Sequence, residues 1–315
     1  MLVPILILVV CFVVLTVGAD LLVRGAGSLA LRLGITPLVV GLTVVAFGTS
    51  APELVVSLKA AWAGQGDIAA GNVIGSNIFN IGMILGVAAL ISPLRVQLQL
   101  LKVDAPLMLL TAVVLAVMLL DRRVDRLEGA VLAAGIVAYL VFTVVAARKQ
   151  HTAEVDSEFE EGVPHRTTSP LLDILLIVGG IALLIVSSRF LVSNAIVLAR
   201  HVGVSEAVIG LTIVAAGTSL PELATSVVAA CKKEADIAIG NIIGSNIFNV
   251  LAIMGIAGAS IPFAAPGVKN SDLVVMVAFS VVLVPMLITG GRLGRWEGGL
   301  LLVGFLAYLA SQWPS

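Results

Sequence analysis

Apolar residues in this chain come in long runs, with little of the alternation that would suggest half-buried strands. VDAPLMLLTAVVLAVMLL at 103–120 is one example, with a single charge in 18 residues. A helix crosses a bilayer with about 20 mostly apolar residues. On that length the sequence predicts ten spanning helices, at about 2–31, 36–62, 67–91, 104–121, 127–147, 171–200, 205–230, 236–260, 271–290 and 296–313. The longest polar stretch, residues 148–169, reads RKQHTAEVDSEFEEGVPHRTTS, acidic in its middle and without an apolar period. It predicts a linker at 148–170 between a first half, 1–147, and a second half, 171–315.

Composition agrees with an all-α integral membrane protein. The chain is 59% hydrophobic and 12% charged, with a mean hydropathy of +1.14, whereas soluble domains carry about 25% charged residues. A net charge of −1 gives no reason to expect a nucleic-acid partner. Cys11 and Cys231 lie in apolar runs and read as small core residues. The first residues lack the basic segment and small-residue cleavage site of a removable signal, so they read as the start of a retained helix.

Residues 41–86, GLTVVAFGTSAPELVVSLKAAWAGQGDIAAGNVIGSNIFNIGMILG, return as residues 210–255 at an offset of 169. Of the 46 aligned pairs, 28 are identical. Lipid-facing positions ask only for hydrophobicity, which several residue types supply interchangeably. Retention of the same Gly, Thr, Ser, Pro, Glu and Asn therefore points to a site built twice. The repetition extends to Gly34, Ile35 and Thr36 with Gly203, Val204 and Ser205, and to Glu128 and Gly129 with Glu297 and Gly298. Asp104 pairs with Asp272 after a one-residue slip.

Five spans per half is an odd number, so the two halves enter the membrane in opposite directions. In such inverted repeats, helices interrupted by Gly or Pro mark the substrate site. Here the second and seventh helices are interrupted, by Gly48 and Pro52 and by Gly217 and Pro221. With both termini outside, inner loops and ends hold 11 Lys and Arg against 7 outside, which favours a cytoplasmic linker. The outer cluster DRRVDR at 121–126 pulls the other way.

Each repeat carries one glutamate in apolar surroundings, Glu53 and Glu222. A carboxylate at the bilayer centre costs at least about 2.5 kcal/mol. A protonated, interhelically bonded glutamate would explain the acids but not their neighbours. Thr49 and Ser50 precede Glu53 by four and three, and Thr218 and Ser219 repeat this before Glu222, so in a helix they share its face. Asn72, Ser76 and Asn80 form a stripe on the next span, as do Asn241, Ser245 and Asn249. Such residues also bond helices together in membranes. For Asn72, Asn77, Asn241 and Asn246 both readings stand, while the deeper Ser76, Asn80, Ser245 and Asn249 suit ligation.

All these candidates offer oxygen. His151, His165 and His201 fall in the linker or at a span end, and no His–Cys set suggests zinc or copper. Carboxylate, hydroxyl and carbonyl oxygens suit hard cations such as calcium and sodium. Carbonyls freed at the breaks, near Ala46 and Ala215, add further ligands. Two glutamates carry −2, which neutralises one calcium ion, and the same cage could hold two or three sodium ions in turn. Gly71, Gly75, Gly82 and Gly86 read as packing glycines. Asp67 and Asp236 read as helix caps. Asp20 and Arg24 read as an i, i+4 ion pair at a membrane edge.

GTSAPE with GNVIGSNIFN, and GTSLPE with GNIIGSNIFN, resemble the two alpha-repeats of the cation/calcium exchanger superfamily, in its compact prokaryotic sodium/calcium type. The resemblance spans essentially the whole chain. It implies that helices 2, 3, 7 and 8 enclose four cation positions. Glu53 and Glu222, with the carbonyls of Thr49 and Thr218, would bind calcium. Ser50, Ser219, Ser76 and Ser245, with the carbonyls of Ala46 and Ala215, would serve sodium. Asn80 and Asn249 would line the middle position, and helices 1 and 6 would slide across the core. Some relatives carry Asp where this chain has Asn249, which removes a third charge and weakens the case for potassium co-transport.

The resemblance further implies a cofactor-free, non-enzymatic antiporter, multi-pass in a prokaryotic cell membrane. It would move calcium out of the cytoplasm against sodium, with a monomer sufficient for transport and the oligomeric state left open. The alternative is proton/calcium antiport through the same two glutamates, since an acid removed from water takes up a proton more readily. Six hydroxyls favour sodium. An intramembrane enzyme would need a nucleophile–base pair with His or Cys, and the site region offers none. A passive channel would not need an inverted two-fold plan.

Overall fold

Lipid offers no hydrogen bonds, so a single apolar segment satisfies its backbone there by coiling into a helix. The computed structural model describes residues 2–149, 167–201 and 215–312. Its first half holds α1 (Leu2–Leu33), α2 (Pro37–Thr49), α3 (Ala51–Trp62), α4 (Gly66–Ile91), α5 (Leu100–Asp121) and α6 (Arg126–Lys149). The second holds α7 (Pro170–His201), a helical turn (Ala215–Gly217), α8 (Leu220–Cys231), α9 (Ala235–Ser260), α10 (Asn270–Ile288) and α11 (Arg295–Ser311). Among the described residues seven helices are long and apolar enough to cross a membrane, and the bent pair α2 and α3 makes an eighth. The 205–230 span lies partly outside the described residues, as do Gly203, Val204, Ser205, His151 and His165.

The break between α2 and α3 falls at Ser50 and bends the pair by 46°. Pro52 then sits in the first turn of α3, where its missing N–H is no loss, and Pro221 does the same in α8. Wide π turns interrupt the ladders at Gly41–Val45, Asn80–Leu85, Leu100–Asp104 and Asn249–Met254. The third carries α5 back to Leu100, four residues before its predicted start.

Two-residue ladders tie the loops of the two halves. Leu94–Arg95 pairs with Arg292–Leu293, and Arg123–Val124 pairs with Phe263–Ala264. Adding 169 to 94 gives 263, and adding it to 123 gives 292. Each loop therefore pairs with the counterpart of the other loop, a two-fold exchange.

α4 and α9 occupy the middle of the molecule, with Ile74, Ile78, Ile81, Ile242, Ile243 and Ile247 buried. α1 and α7 pack along each other, with Gly18 and Gly180 so close that a Cβ on Gly180 would meet the Gly18 carbonyl oxygen at 2.7 Å. Their ends are joined by Arg32 Nε to Asp173 Oδ2 at 2.7 Å, with Asp173 fully buried. Arg24 pairs with Asp20 at 2.8 Å as expected, and Lys232 at the end of α8 also reaches Asp20.

Two expectations change. Gly82 and Gly86 do pack against α11, but among the described residues nothing comes within 4 Å of a Cβ on Gly71 or Gly75. Cys11 is buried whereas Cys231, at the end of α8, is exposed. Asp67 and Asp236 sit in first turns as expected, and their carboxylates also reach beyond their own helices. Asp67 Oδ1 accepts the Gly267 N–H at 2.7 Å and Asp236 Oδ2 accepts Gln97 Nε2 at 2.6 Å, so both tie loops to helix starts.

Candidate functional site

Glu53 and Glu222 stand in the first turns of α3 and α8, each 1% exposed. The serine that precedes each glutamate by three crosses to the other one. Ser50 Oγ donates to Glu222 Oε1 at 3.0 Å, and Ser219 Oγ to Glu53 Oε1 at 3.0 Å. This corrects the expectation that Ser50 shares a helical face with Glu53, because the break at Ser50 ends the register on which that spacing relied. Ser219 also lies 3.3 Å from Ser76 Oγ.

The asparagines of α4 and α9 hold the broken helices in place. Asn72 Nδ2 donates to the Glu53 carbonyl at 3.3 Å and to Ser57 Oγ at 2.9 Å, and its Oδ1 accepts the Thr218 hydroxyl at 3.4 Å. Asn241 repeats this with Glu222, Ser226 and Thr49 at 3.4, 3.0 and 3.1 Å. The threonine hydroxyls are therefore occupied, which leaves backbone carbonyls as their available ligands. Ala46 is buried in α2, and its carbonyl accepts Ser50 N–H at 3.0 Å; Ala215 begins the turn before Thr218. Pro52 removes the donor that the Gly48 carbonyl would meet four residues on.

One turn deeper, Asn80 Nδ2 donates to Asn246 Oδ1 at 3.1 Å and Asn249 Nδ2 to Asn77 Oδ1 at 2.9 Å. Each bond uses the amide nitrogen and leaves the amide oxygen. Glu53 Oε2, Glu222 Oε2, Asn80 Oδ1, Asn249 Oδ1 and Ser245 Oγ are all buried without a hydrogen-bond partner. A buried oxygen left without a donor forfeits about 1–3 kcal/mol. Five of them on four matched elements form a set of acceptors suited to a cation. No cluster of three or more His, Cys, Asp or Glu occurs among the described residues, so neutral oxygens must complete any shell.

The structure links Glu53 with Ser219 and Ser76, and Glu222 with Ser50, by side-chain bonds; Thr49 and Thr218 bond Asn241 and Asn72, while Asn80 and Asn249 pair with Asn246 and Asn77. Ser57 and Ser226, which fix the asparagines, were not singled out from the sequence. Their identity across the repeat, four residues after each glutamate, was the available signal. Met108 and Met276, which contact Asn246 and Asn77 at 3.6 and 4.0 Å, match only after a one-residue slip and left none.

Known proteins resemble the chain along nearly its whole length. The family model for the sodium/calcium exchanger protein matches residues 3–146 and 172–313. The chain is 41% identical to a putative antiporter, CaxA, of Alkalimonas amylolytica, over 98% of both chains. It is 34% identical to the sodium/calcium exchanger MaX1 of Methanosarcina acetivorans, over 96% of this chain and 97% of that one. Among solved structures, the sodium-calcium exchanger NCX_Mj superposes with a TM-score of 0.86 at 30% identity, covering all of both chains. The chain belongs to the sodium/calcium exchanger protein family.

Proposed function

We propose that this protein is a cation/calcium antiporter that exchanges calcium for sodium at the pocket between Glu53 and Glu222. The observation that carries the reading is the reciprocal bonding of the two glutamates. Each gives one oxygen to a serine of the other repeat and keeps the second oxygen without a donor. Two carboxylates neutralise one calcium ion, and Asn80, Asn249, Ser76 and Ser245 offer the neutral oxygens that hard cations take. The carbonyls of Thr49, Thr218, Ala46 and Ala215 are proposed to complete the shell. Sodium ions share the same oxygens, so calcium must leave before they settle. Competition for one set of ligands is what couples the two fluxes.

The same symmetry supports alternating access. Ten spans in two inverted sets of five would expose the pocket to either side by equivalent movements. The loop ladders support inversion, because each loop pairs with the counterpart of the other loop. α1 and α7, bonded to each other by Arg32 and Asp173, are proposed to slide as a unit. Gly48 and Gly217 meet Ile181 and Val192 of α7 at the two breaks, so a sliding α7 presses directly on the site. With the 148–170 linker in the cytoplasm, calcium leaves the cell as sodium enters.

The test uses proteoliposomes loaded with sodium, with an ionophore clamping pH, and radioactive calcium outside. Uptake is expected to follow the imposed sodium gradient. Uptake that ignores sodium and follows an imposed proton gradient would replace this reading with proton/calcium antiport. Glu53→Gln and Glu222→Gln are each expected to abolish calcium flux, while Asp67→Asn keeps most of it. Transport surviving in both glutamate variants would move the site elsewhere.

A further inference from the structure

The two halves depart from two-fold symmetry at one seam. α1 packs along α8 and α7 touches it too, whereas neither packs along α3, the counterpart of α8. Thr225 of α8 is fully buried, while Val56, its counterpart on α3, is 37% exposed. An ion pair marks the same seam. Lys232, which ends α8, reaches Asp20 of α1, and Arg24 one turn on holds the same carboxyl at 2.8 Å. The positions 169 away hold Ala63 and Arg189, so α3 and α7 carry no such pair.

The two ion pairs that α1 makes with other helices differ in kind. Arg32 holds an Asp173 that is fully buried, so parting them would strand a charge. The side chains of Asp20 and Lys232 are each 28% exposed, and pairs open to water are weakly held. Each also keeps a second partner when the pair opens. Asp20 keeps Arg24 on its own helix, and Lys232 keeps Glu234, which already lies within reach of its charge. The first pair is built to persist, and the second to break and re-form at low cost.

α8 leads from Glu222, in its first turn, to Lys232 at its end, and α3 leads from Glu53 toward the opposite face. On the exchange reading proposed above, with the linker in the cytoplasm, Lys232 stands at the cytoplasmic face. α1 lying along α8 then covers the way from the pocket to the cytoplasm, and the way along α3 lacks that cover. We infer that the Asp20–Lys232 pair is a latch at the cytoplasmic face that favours the state open to the outside. A slide of α1 by one helical turn, about 5.4 Å, exceeds the roughly 4 Å over which such a pair holds. The latch biases the balance between the two states without touching the transported ions.

Calcium uptake into sodium-loaded membrane vesicles tests this from each face in turn. Inverted vesicles present the cytoplasmic side and right-side-out vesicles the outer one, with uptake by Glu53→Gln vesicles subtracted as background. A protein less often open to one face needs more calcium there to half-saturate. Lys232→Met is expected to lower the half-saturating calcium at the cytoplasmic face about three- to fivefold and to raise it, by less, at the outer face. Lys232→Arg keeps the pair and both values. The mirror pair, Ala63→Lys with Arg189→Asp, adds a latch at the outer face and lowers the cytoplasmic value as Lys232→Met does. The latch is overturned if Lys232→Met leaves the cytoplasmic value unchanged or raises it, or if both values move the same way. Should that variant fail to fold, Asp20→Asn decides on the same criteria. The unaltered protein separates the two readings: without sodium-driven uptake the exchange reading itself falls, and with it the variants judge the latch alone.

Discussion

Asn77 and Asn246 direct the amides of Asn249 and Asn80, taking their nitrogens and leaving their oxygens for the pocket. They are positioning residues, and their removal lets the neighbouring amide turn. Asn77→Ala forfeits, among its contacts, the bond that holds the Asn249 amide, worth about 1–1.5 kcal/mol. Calcium uptake by this variant should half-saturate at roughly five- to tenfold higher calcium, with the maximal rate less affected. Glu234, in the loop before α9, gives a second prediction at this scale. Burial, and then the nearby Asp236, push its carboxyl up to about 7 against the opposing pull of Lys232. The neutral form is favoured in the fold, so its contribution to stability is complete below the ordinary glutamate range. That contribution is lost as pH rises through about 7. Unfolding midpoints measured from pH 5 to pH 8 should fall, and Glu234→Gln should flatten that decline.

Between elements, small residues decide how closely helices approach. A Cβ on Gly255 of α9 would meet the Ala133 backbone nitrogen of α6 at 2.6 Å and the Leu132 carbonyl carbon at 3.0 Å. Backbone cannot turn aside as a side chain can, so α6 and α9 would have to part. Gly255→Ala is expected to destabilise by about 1–3 kcal/mol, read as a lower unfolding midpoint in detergent. Gly299→Ala is the control, since the nearest atom, Leu90 Cδ2, lies 4.0 Å away. Inside a helix that exchange should be neutral or gain up to about 1 kcal/mol. Helix length and the two breaks were legible in the sequence because lipid thickness, Gly and Pro act locally. The π turns were not, because no residue type demands one, and α5 consequently begins earlier than its composition suggested. The fate of Gly71 and Gly75 was equally hidden, since a glycine records that a close approach is allowed and not that one occurs.

Across the whole molecule, the Arg32–Asp173 pair joins the two halves by bonding α1 to α7. Arg32 Nη2 also bonds the Thr167 carbonyl at 2.9 Å, and Thr167 N–H bonds Ser28 at 2.9 Å. Arg32→Ala strands a buried carboxylate and should cost about 3–5 kcal/mol. Replacing both partners by apolar residues, Arg32→Met with Asp173→Leu, should recover most of that loss, as the thermal midpoints will show. A second link is one-sided. Lys232 reaches Asp20, whereas the positions 169 away, Ala63 and Arg189, cannot form the equivalent pair. Neither this pair nor Arg32–Asp173, whose positions 169 away hold His201 and Pro4, has a counterpart in the other half.

From the sequence alone came the membrane class, the two copies, and the glutamates, serines and asparagines that bond across the two repeats. Lipid places no demand on polar identity, so polar residues kept at a fixed offset had to answer to each other. What only the tertiary structure decided was the pairing. Ser50 serves Glu222, Ser219 serves Glu53, and Asn77 and Asn246 steer the amides of the opposite repeat. Periodicity describes neighbours along one helix, and a break at Ser50 ends its authority. Partners about 170 residues apart are chosen by how the halves dock, which no local pattern records.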